Sequence, residues 1–205
     1  MNNKITLRGI MKNIQYSHTI QDIEFYKANL IVPRDGSTKE DLIDIKFKRF
    51  SNPYKESEEI LLCGNIRSYS QTLGDKNKVS IYVFTYFDKP EIEYTNKANL
   101  IGRICKSNGL RKTRDGKDVI DFILANNIAN GEQSLNCYIP CVAWGKLAKE
   151  LAKFPIGTEI AIEGQLQSRE YKKRISEYDF EIRVAHELNV NEFTKLEDTI
   201  YEIEI

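Results

Sequence analysis

Trp144 is the only tryptophan in the chain, and it stands six positions after Tyr138 in a segment that reads as a β-strand. Alternate residues of a strand share a face, so Tyr138, Pro140, Val142 and Trp144 lie together, with a ring at each end roughly 20 Å apart. Tyr171 ends a later strand. Basic residues flank these rings: Arg111, Lys112, Arg114 and Lys117 fall in one hairpin, and Arg169, Lys172, Lys173 and Arg174 around another. Flat aromatic faces on which bases stack, beside Lys and Arg that follow phosphates, are what sequence-independent binding of a single nucleic-acid strand requires. The competing roles are core packing for the rings and plain solvation for the charges.

Other chemistries find little support. Cys63, Cys105, Cys137 and Cys141 show no Cys-x-x-Cys spacing for zinc or a redox dithiol and read as reduced structural thiols. His18 and His186 lie far apart, with no partnered nucleophile or acid to make a triad or metal site. With no paired carboxylates, nucleophile motif or phosphate loop, the expectation is a protein without catalysis, metal or cofactor. No apolar run reaches the roughly 18 residues of a membrane span, and Met1 to Lys4 leads into no signal-type apolar core. A cytoplasmic protein is expected.

The elements that position the rings come from an internal repeat. Asn3-Lys4-Ile5-Thr6-Leu7-Arg8-Gly9 matches Asn96-Lys97-Ala98-Asn99-Leu100-Ile101-Gly102, and Ile60 to Ser68 matches Ile160 to Ser168 around Gly64 and Gly164. The offsets are 93 and 100 residues. Two matches in the same order indicate a duplicated unit, with a first domain over 1–93, a second over 94–190 and a tail over 191–205. The seam falls near Asp88-Lys89-Pro90-Glu91. In the second unit, alternation predicts strands over 97–105, 118–127, 135–144, 159–166 and 178–184, with a turn at Asp115-Gly116. Leu147, Leu151 and Phe154 recur at helical spacing before Pro155 and Gly157, predicting one short helix. Three strands, a helix and two strands is the order of an OB-fold, a five-stranded Greek-key barrel. The fold class expected is therefore all-β, two tandem OB-folds with one short helix in the second.

From Asn96 to about Glu187 the chain resembles the bacterial single-stranded DNA-binding protein family. The markers are Asn99-Leu100-Ile101-Gly102-Arg103, Leu110-Arg111-Lys112-Thr113 with Asp115-Gly116-Lys117, Phe122-Ile123-Leu124-Ala125, Val142-Ala143-Trp144-Gly145-Lys146-Leu147-Ala148 and Ile162-Glu163-Gly164-Gln165-Leu166-Gln167-Ser168-Arg169. The resemblance implies base-stacking aromatics at Tyr138, Trp144 and Tyr171; the family's further stacking position falls near Asn130 and is not aromatic here. Arg103 and Lys146, inside the matching motifs, join the nucleic-acid-binding set. The family assembles four OB-folds around its strand, so a chain with two implies a homodimer, with single-stranded DNA as the partner.

The first unit resembles the family only through the repeat. Phe50 to Gly64 spans 14 residues where Trp144 to Gly164 spans 20, so the helix is absent there. Aligned on the repeat, Ile43 to Phe50 sets Phe50 opposite Trp144 and Asp44, an acid, opposite Tyr138. Tyr69 is placed to do the work of Tyr171, and Lys46, Lys48 and Arg67 are candidate phosphate contacts. Weaker binding by this half is expected.

Zero formal charge, from 30 basic and 30 acidic residues, argues on its face against nucleic acid. By segment, residues 1–93 hold 14 basic and 13 acidic residues, 94–190 hold 15 and 12, and 191–205 hold 1 and 5. The balances of +1, +3 and −4 describe a mildly basic body with an acidic end. The resemblance implies that such an end recruits replication or repair proteins; the alternation of Tyr201 to Ile205 equally suits an edge strand. The function expected is protection of single-stranded DNA in replication, recombination or transfer. The alternative is an OB-fold adaptor that mainly binds protein.

Overall fold

The computed structural model describes residues 2–49, 55–73, 76–86, 95–130, 133–176 and 179–196. Strands β1 (Asn3–Ile20), β2 (Ile23–Pro33), β3 (Glu40–Lys48), β4 (Glu59–Leu73) and β5 (Lys76–Tyr86) are followed by β6 (Asn96–Lys112), β7 (Asp118–Asn130) and β8 (Gln133–Trp144), helix α1 (Gly145–Leu151), β9 (Glu159–Arg174) and β10 (Phe180–Lys195). Alternation makes each strand two-faced. In β3, Asp41, Ile43, Ile45 and Phe47 are buried while Leu42, Asp44, Lys46 and Lys48 face outward; in β8, Cys137, Ile139, Cys141 and Ala143 line the core.

Hydrogen-bonded pairing closes both sets. β1 pairs with β2, β2 with β3, β3 in parallel with β5, β5 with β4, and β4 back with β1. The circuit β6, β7, β8, β10, β9 and back to β6 repeats it, again with one parallel step, β8 to β10. This is the OB-fold topology twice over. α1 stands between β8 and β9 and buries Ala148 and Leu151; between β3 and β4, the described residues 55–58 include a turn and no helix. The helix ends at Leu151 rather than Phe154, whose ring instead meets Phe193 edge-on at 5.6 Å.

The repeated motifs are barrel hardware. Asn3 Nδ2 donates to the Ile66 carbonyl while Ile66 N donates to Asn3 Oδ1, both at 2.8 Å. Asn96 holds Leu166 in the same two-pronged way, at 2.7 and 3.0 Å. At Gly64 and Gly164 a Cβ would meet a carbonyl oxygen of the next strand at 2.5 and 2.4 Å, so only glycine lets those strands close up.

β1 and β6 pair antiparallel, joining the barrels. Ile5 faces Ala98, its own repeat mate, and Asn3 opposite Leu100 mirrors Leu7 opposite Asn96, so a pseudo-twofold axis passes through the Ile5–Ala98 pair. Two further contacts obey this symmetry: Tyr138 N donates to Ser68 Oγ at 2.8 Å, and Leu42 N donates to Ser168 Oγ at 2.9 Å.

Register corrects the alignment of the two units. Leu30 and Leu124 hold the same place in β2 and β7; Leu30 pairs with Ile43, but Leu124 pairs with Ile139. The β7–β8 hairpin is thus two residues longer than β2–β3. Leu42, not Asp44, occupies Tyr138's position, Asp44 matches Pro140, and Lys48 rather than Phe50 matches Trp144. Phe50 itself lies outside the described residues, as do the seam at 88–91 and residues 197–205 of the tail.

The strands also run longer than alternation indicates. β6 continues through Lys106 to Lys112, and β9 to Arg174. Those ends project from the barrels as hairpin arms wetted on both faces, so no apolar side remains to mark them.

Candidate nucleic-acid interface

Tyr138 and Trp144 stand on the outer surface of β8, 43% and 44% exposed, while Cys137, Ile139, Cys141 and Ala143 turn to the core and Val142, between the rings, is buried. That excludes core packing for both rings. Gly145, at φ 57°, turns the chain from β8 into α1 immediately beside Trp144. Tyr171 is half-buried on β9, across from Arg183. Asn130 ends β7.

Trp144 opens onto a groove of about 630 Å3 between the barrels. Arg169 and Glu187 line it from the second barrel, and Arg34, Lys39 and Leu42 from the first. An adjoining recess of about 280 Å3 shares Arg169 and Glu187 and adds Asp44, Tyr69, Pro140 and His186. The surface of the second barrel therefore continues onto the first. Arg34 is held in place by Asp41, whose carboxylate accepts from Arg34 Nε at 3.1 Å and from Ser168 N at 2.7 Å. His186 Nε2 donates to the Leu42 carbonyl at 2.7 Å, a further tie across the seam.

The remaining basic residues are placed unevenly. Arg169 stands 3.8 Å from Glu187, whose carboxyl is pushed up by burial, with Arg169 opposing the shift. Arg111 is paired with Asp121, and Lys112 with Asp118 at 2.9 Å. Two cations, Lys112 and Lys149, hold the Asp118 carboxyl below its usual range. Arg114 and Lys117 are exposed at the turn beyond β6, and Lys146 extends into solvent from α1. Lys172 and Arg174 are exposed on the β9 arm, Lys173 half-buried, and Arg174 Nε donates to the Ser176 carbonyl at 3.0 Å. Arg103 points outward on β6, two strands from Tyr138 through Ala125, and donates to the Gly157 carbonyl and Glu159.

On the first barrel, Tyr69 is 39% exposed. Lys46 Nζ lies 5.1 Å from its ring centre and 4.1 Å from that of Tyr82, and burial lowers the Lys46 pKa. Arg67 is half-buried rather than presented to solvent: its guanidinium lies 4.0 Å over Phe84 and its Nε is buried without a partner. Lys48 is half-buried at the site equivalent to Trp144. Sequence reasoning missed Arg34, Lys39, Tyr82 and Glu187. Arg34-Asp35-Gly36 is legible as a turn, but only the packing of one barrel on the other brings its cations to Trp144.

All four cysteines are free thiols, three of them buried and Cys105 exposed. Among the described residues no group of three His, Cys, Asp or Glu could hold a metal, and no helix is long and apolar enough to cross a membrane.

Residues 95–194 match the model of the Single-strand binding protein family. Similar proteins include single-stranded DNA-binding protein A of Bacillus subtilis, 33% identical over 97 residues that cover 45% of this chain and 56% of that one. The single-stranded DNA-binding protein of Lactiplantibacillus plantarum is 34% identical over 84 residues, 38% of this chain and 42% of its own. The chain spans about half the length of the curated relatives it matches. A deletion variant of the single-stranded DNA binding protein from Thermus aquaticus superposes along 98% of this chain and 97% of its own, with a TM-score of 0.70 at 18% identity. At that identity the likeness is one of fold, and it covers both barrels.

Proposed function

We propose that the chain, whose residues 95–194 match the model of the Single-strand binding protein family, binds and protects single-stranded DNA with little sequence preference, in replication, recombination or transfer. Bases stack on Tyr138, Trp144 and Tyr171, and phosphates follow Arg169, Lys172 and the hairpin cations. The observation that carries this is the exposed ring of Trp144 opening onto a groove with Arg34, Lys39 and Arg169, on the strand whose other exposed ring is Tyr138. The protein works by binding, in the cytoplasm, with residues 1–93 and 94–190 as its domains and an acidic tail beyond. Two such chains would present four barrels, so a homodimer is expected; light scattering that finds a monomer at micromolar concentration overturns that part. Titration with oligo(dT) tests the whole reading. Stacking on Trp144 quenches the fluorescence of the sole tryptophan, whereas neither quenching nor a mobility shift at low salt would favour a protein-binding adaptor.

Two further outcomes follow from the charges. Removing Arg169 and Lys172 together should reduce the slope of log affinity against log salt by roughly 0.7 for each lost phosphate contact; an unchanged slope puts both off the strand's path. Glu187 competes with phosphate for Arg169. Its carboxyl is raised by burial, so it begins to take up a proton at a higher pH than an ordinary glutamate, and binding strengthens as pH falls through that range. Glu187→Gln should reproduce the gain at pH 7, up to about fivefold for a partly exposed pair, and flatten the pH profile. A variant that keeps the wild-type profile shows that Glu187 is not the titrating group.

A further inference from the structure

The first barrel carries a cavity of about 480 Å3 that shares Tyr69 and Asp44 with the recess between the barrels. Its lining includes the polar Asn13, Asn29 and Asp44 together with Lys46, Tyr69 and Tyr82. Two aromatic rings with a half-buried ammonium between them make a stacking wall. The polar residues are ordered: Asn13 Nδ2 donates to Asn29 Oδ1 at 3.0 Å, and Asn29 Nδ2 donates to Asp44 Oδ1 at 2.9 Å. That chain fixes the Asp44 carboxylate and uses one of its roughly four lone-pair sites. Asp44 and Lys46 are alternate residues of β3 and point to the same side, about 7 Å apart along the strand. Lys46 lies over both tyrosine rings and feels the opposite charge of Asp44 without a salt bridge to it among the described residues.

We propose that this cavity is a base-selective site for guanine, in which Asp44 accepts from the ring N1–H and exocyclic N2–H, Lys46 donates to O6 or N7, and Tyr69 stacks on the base. The chemistry selects among bases. Guanine alone places two donors side by side for one carboxylate, with acceptors on the neighbouring edge for an ammonium. Thymine offers one donor between two carbonyls that the carboxylate repels, adenine and cytosine one exocyclic amine each. Asp44 thereby has a purpose that loss of a stacking ring does not give it, since its counterpart in the second barrel is Pro140. The inference rests on single-strand binding as read above and adds a preference at one position to it.

The test compares a thymidine oligonucleotide in which every fourth residue is dG with the same oligonucleotide carrying dA, dC, deoxyinosine or only dT, in competition against the full-length protein. The dG strand should bind about fivefold or more tightly than the dT strand, the lower end of what a bidentate base contact contributes. Deoxyinosine, which lacks N2–H, should lose most of that margin, and Asp44→Asn should bring the ratio of dG to dT affinity close to one. The inosine comparison leaves the protein unaltered, so a folding defect cannot imitate it. Equal affinity for dG, inosine and dT strands overturns the guanine site while leaving single-strand binding intact. Failure of every strand to bind overturns both.

Discussion

Trp144→Ala should weaken oligo(dT) binding by about 1–3 kcal/mol, the range for removing one base-stacking platform, which is roughly 5- to 150-fold in dissociation constant. The ring is 44% exposed on the outer face of β8, so the unfolding midpoint should move little. Affinity and stability then separate, which a core residue would not allow. Trp144→Phe keeps a smaller aromatic face and should recover part of the loss, while Trp144→Leu, apolar but not flat, should recover less. Measurement is by fluorescence anisotropy of a labelled oligonucleotide, since the intrinsic tryptophan signal is lost in these variants. Unchanged affinity in the alanine variant would make Trp144 a bystander on the surface and move the platform to Tyr138 and Tyr171.

Asp41→Ala should lower the unfolding free energy by about 3 kcal/mol, measured by urea denaturation. Asp41 is buried, 1% exposed, and its carboxylate receives Arg34 Nε and Ser168 N. Removing one partner of a buried ion pair typically costs about 3–5 kcal/mol, because the other charge is left unpaired; Arg34 retains 25% of its side-chain exposure, which puts the expected loss at the lower end. The double variant Arg34→Ala with Asp41→Ala should lose less than the sum of the two single losses, since no orphaned charge remains. The effect also reaches the groove. Arg34 is aimed by Asp41, so Asp41→Ala should weaken oligo(dT) binding through the first barrel although Asp41 itself touches no strand. A loss of stability below 1 kcal/mol would mean that water takes over the freed partners.

Most of the barrel architecture is legible in the sequence because it depends on local signals. Alternation in Glu159 to Leu166 marks β9, Pro155 and Gly157 stop the helix, and the two echoed motifs expose the duplication. The structure explains why those residues recur: the asparagines clasp a backbone and the glycines admit a neighbouring carbonyl. Register between repeats is less legible. A hairpin two residues longer shifts every pairing after it, and nothing in Ile43 to Lys48 reveals the shift. Two residues preserve parity, however, so alternation puts Asp44 on the correct face while alignment on the repeat sets it opposite Tyr138 in place of Pro140.

The site divides in the same way. The ring positions in β8 follow from parity within one strand. The contributions of Arg34 and Lys39 arise only when one barrel packs on the other, Glu187 reaches Arg169 through the pairing of β9 with β10, and the burial of Arg67 against Phe84 needs the cross-strand partner of β4. Basic residues of similar appearance in the sequence divide into free cations at the β6–β7 turn and cations held by Asp118, Asp121 or an aromatic ring.

The pairing of β1 with β6 bears on how the molecule behaves on dilution. Where two barrels on separate chains meet through such a ladder, their association obeys mass action and fails below the dissociation constant. Here both halves of the ladder belong to one polypeptide, so each barrel meets its mate at an effective concentration set by chain length rather than by how much protein is present. The two-barrel unit should persist at nanomolar protein. The duplication also frees the halves to diverge: a change such as Lys48 where the second barrel has Trp144 occurs once, whereas in a symmetric pair of identical chains every substitution is made twice.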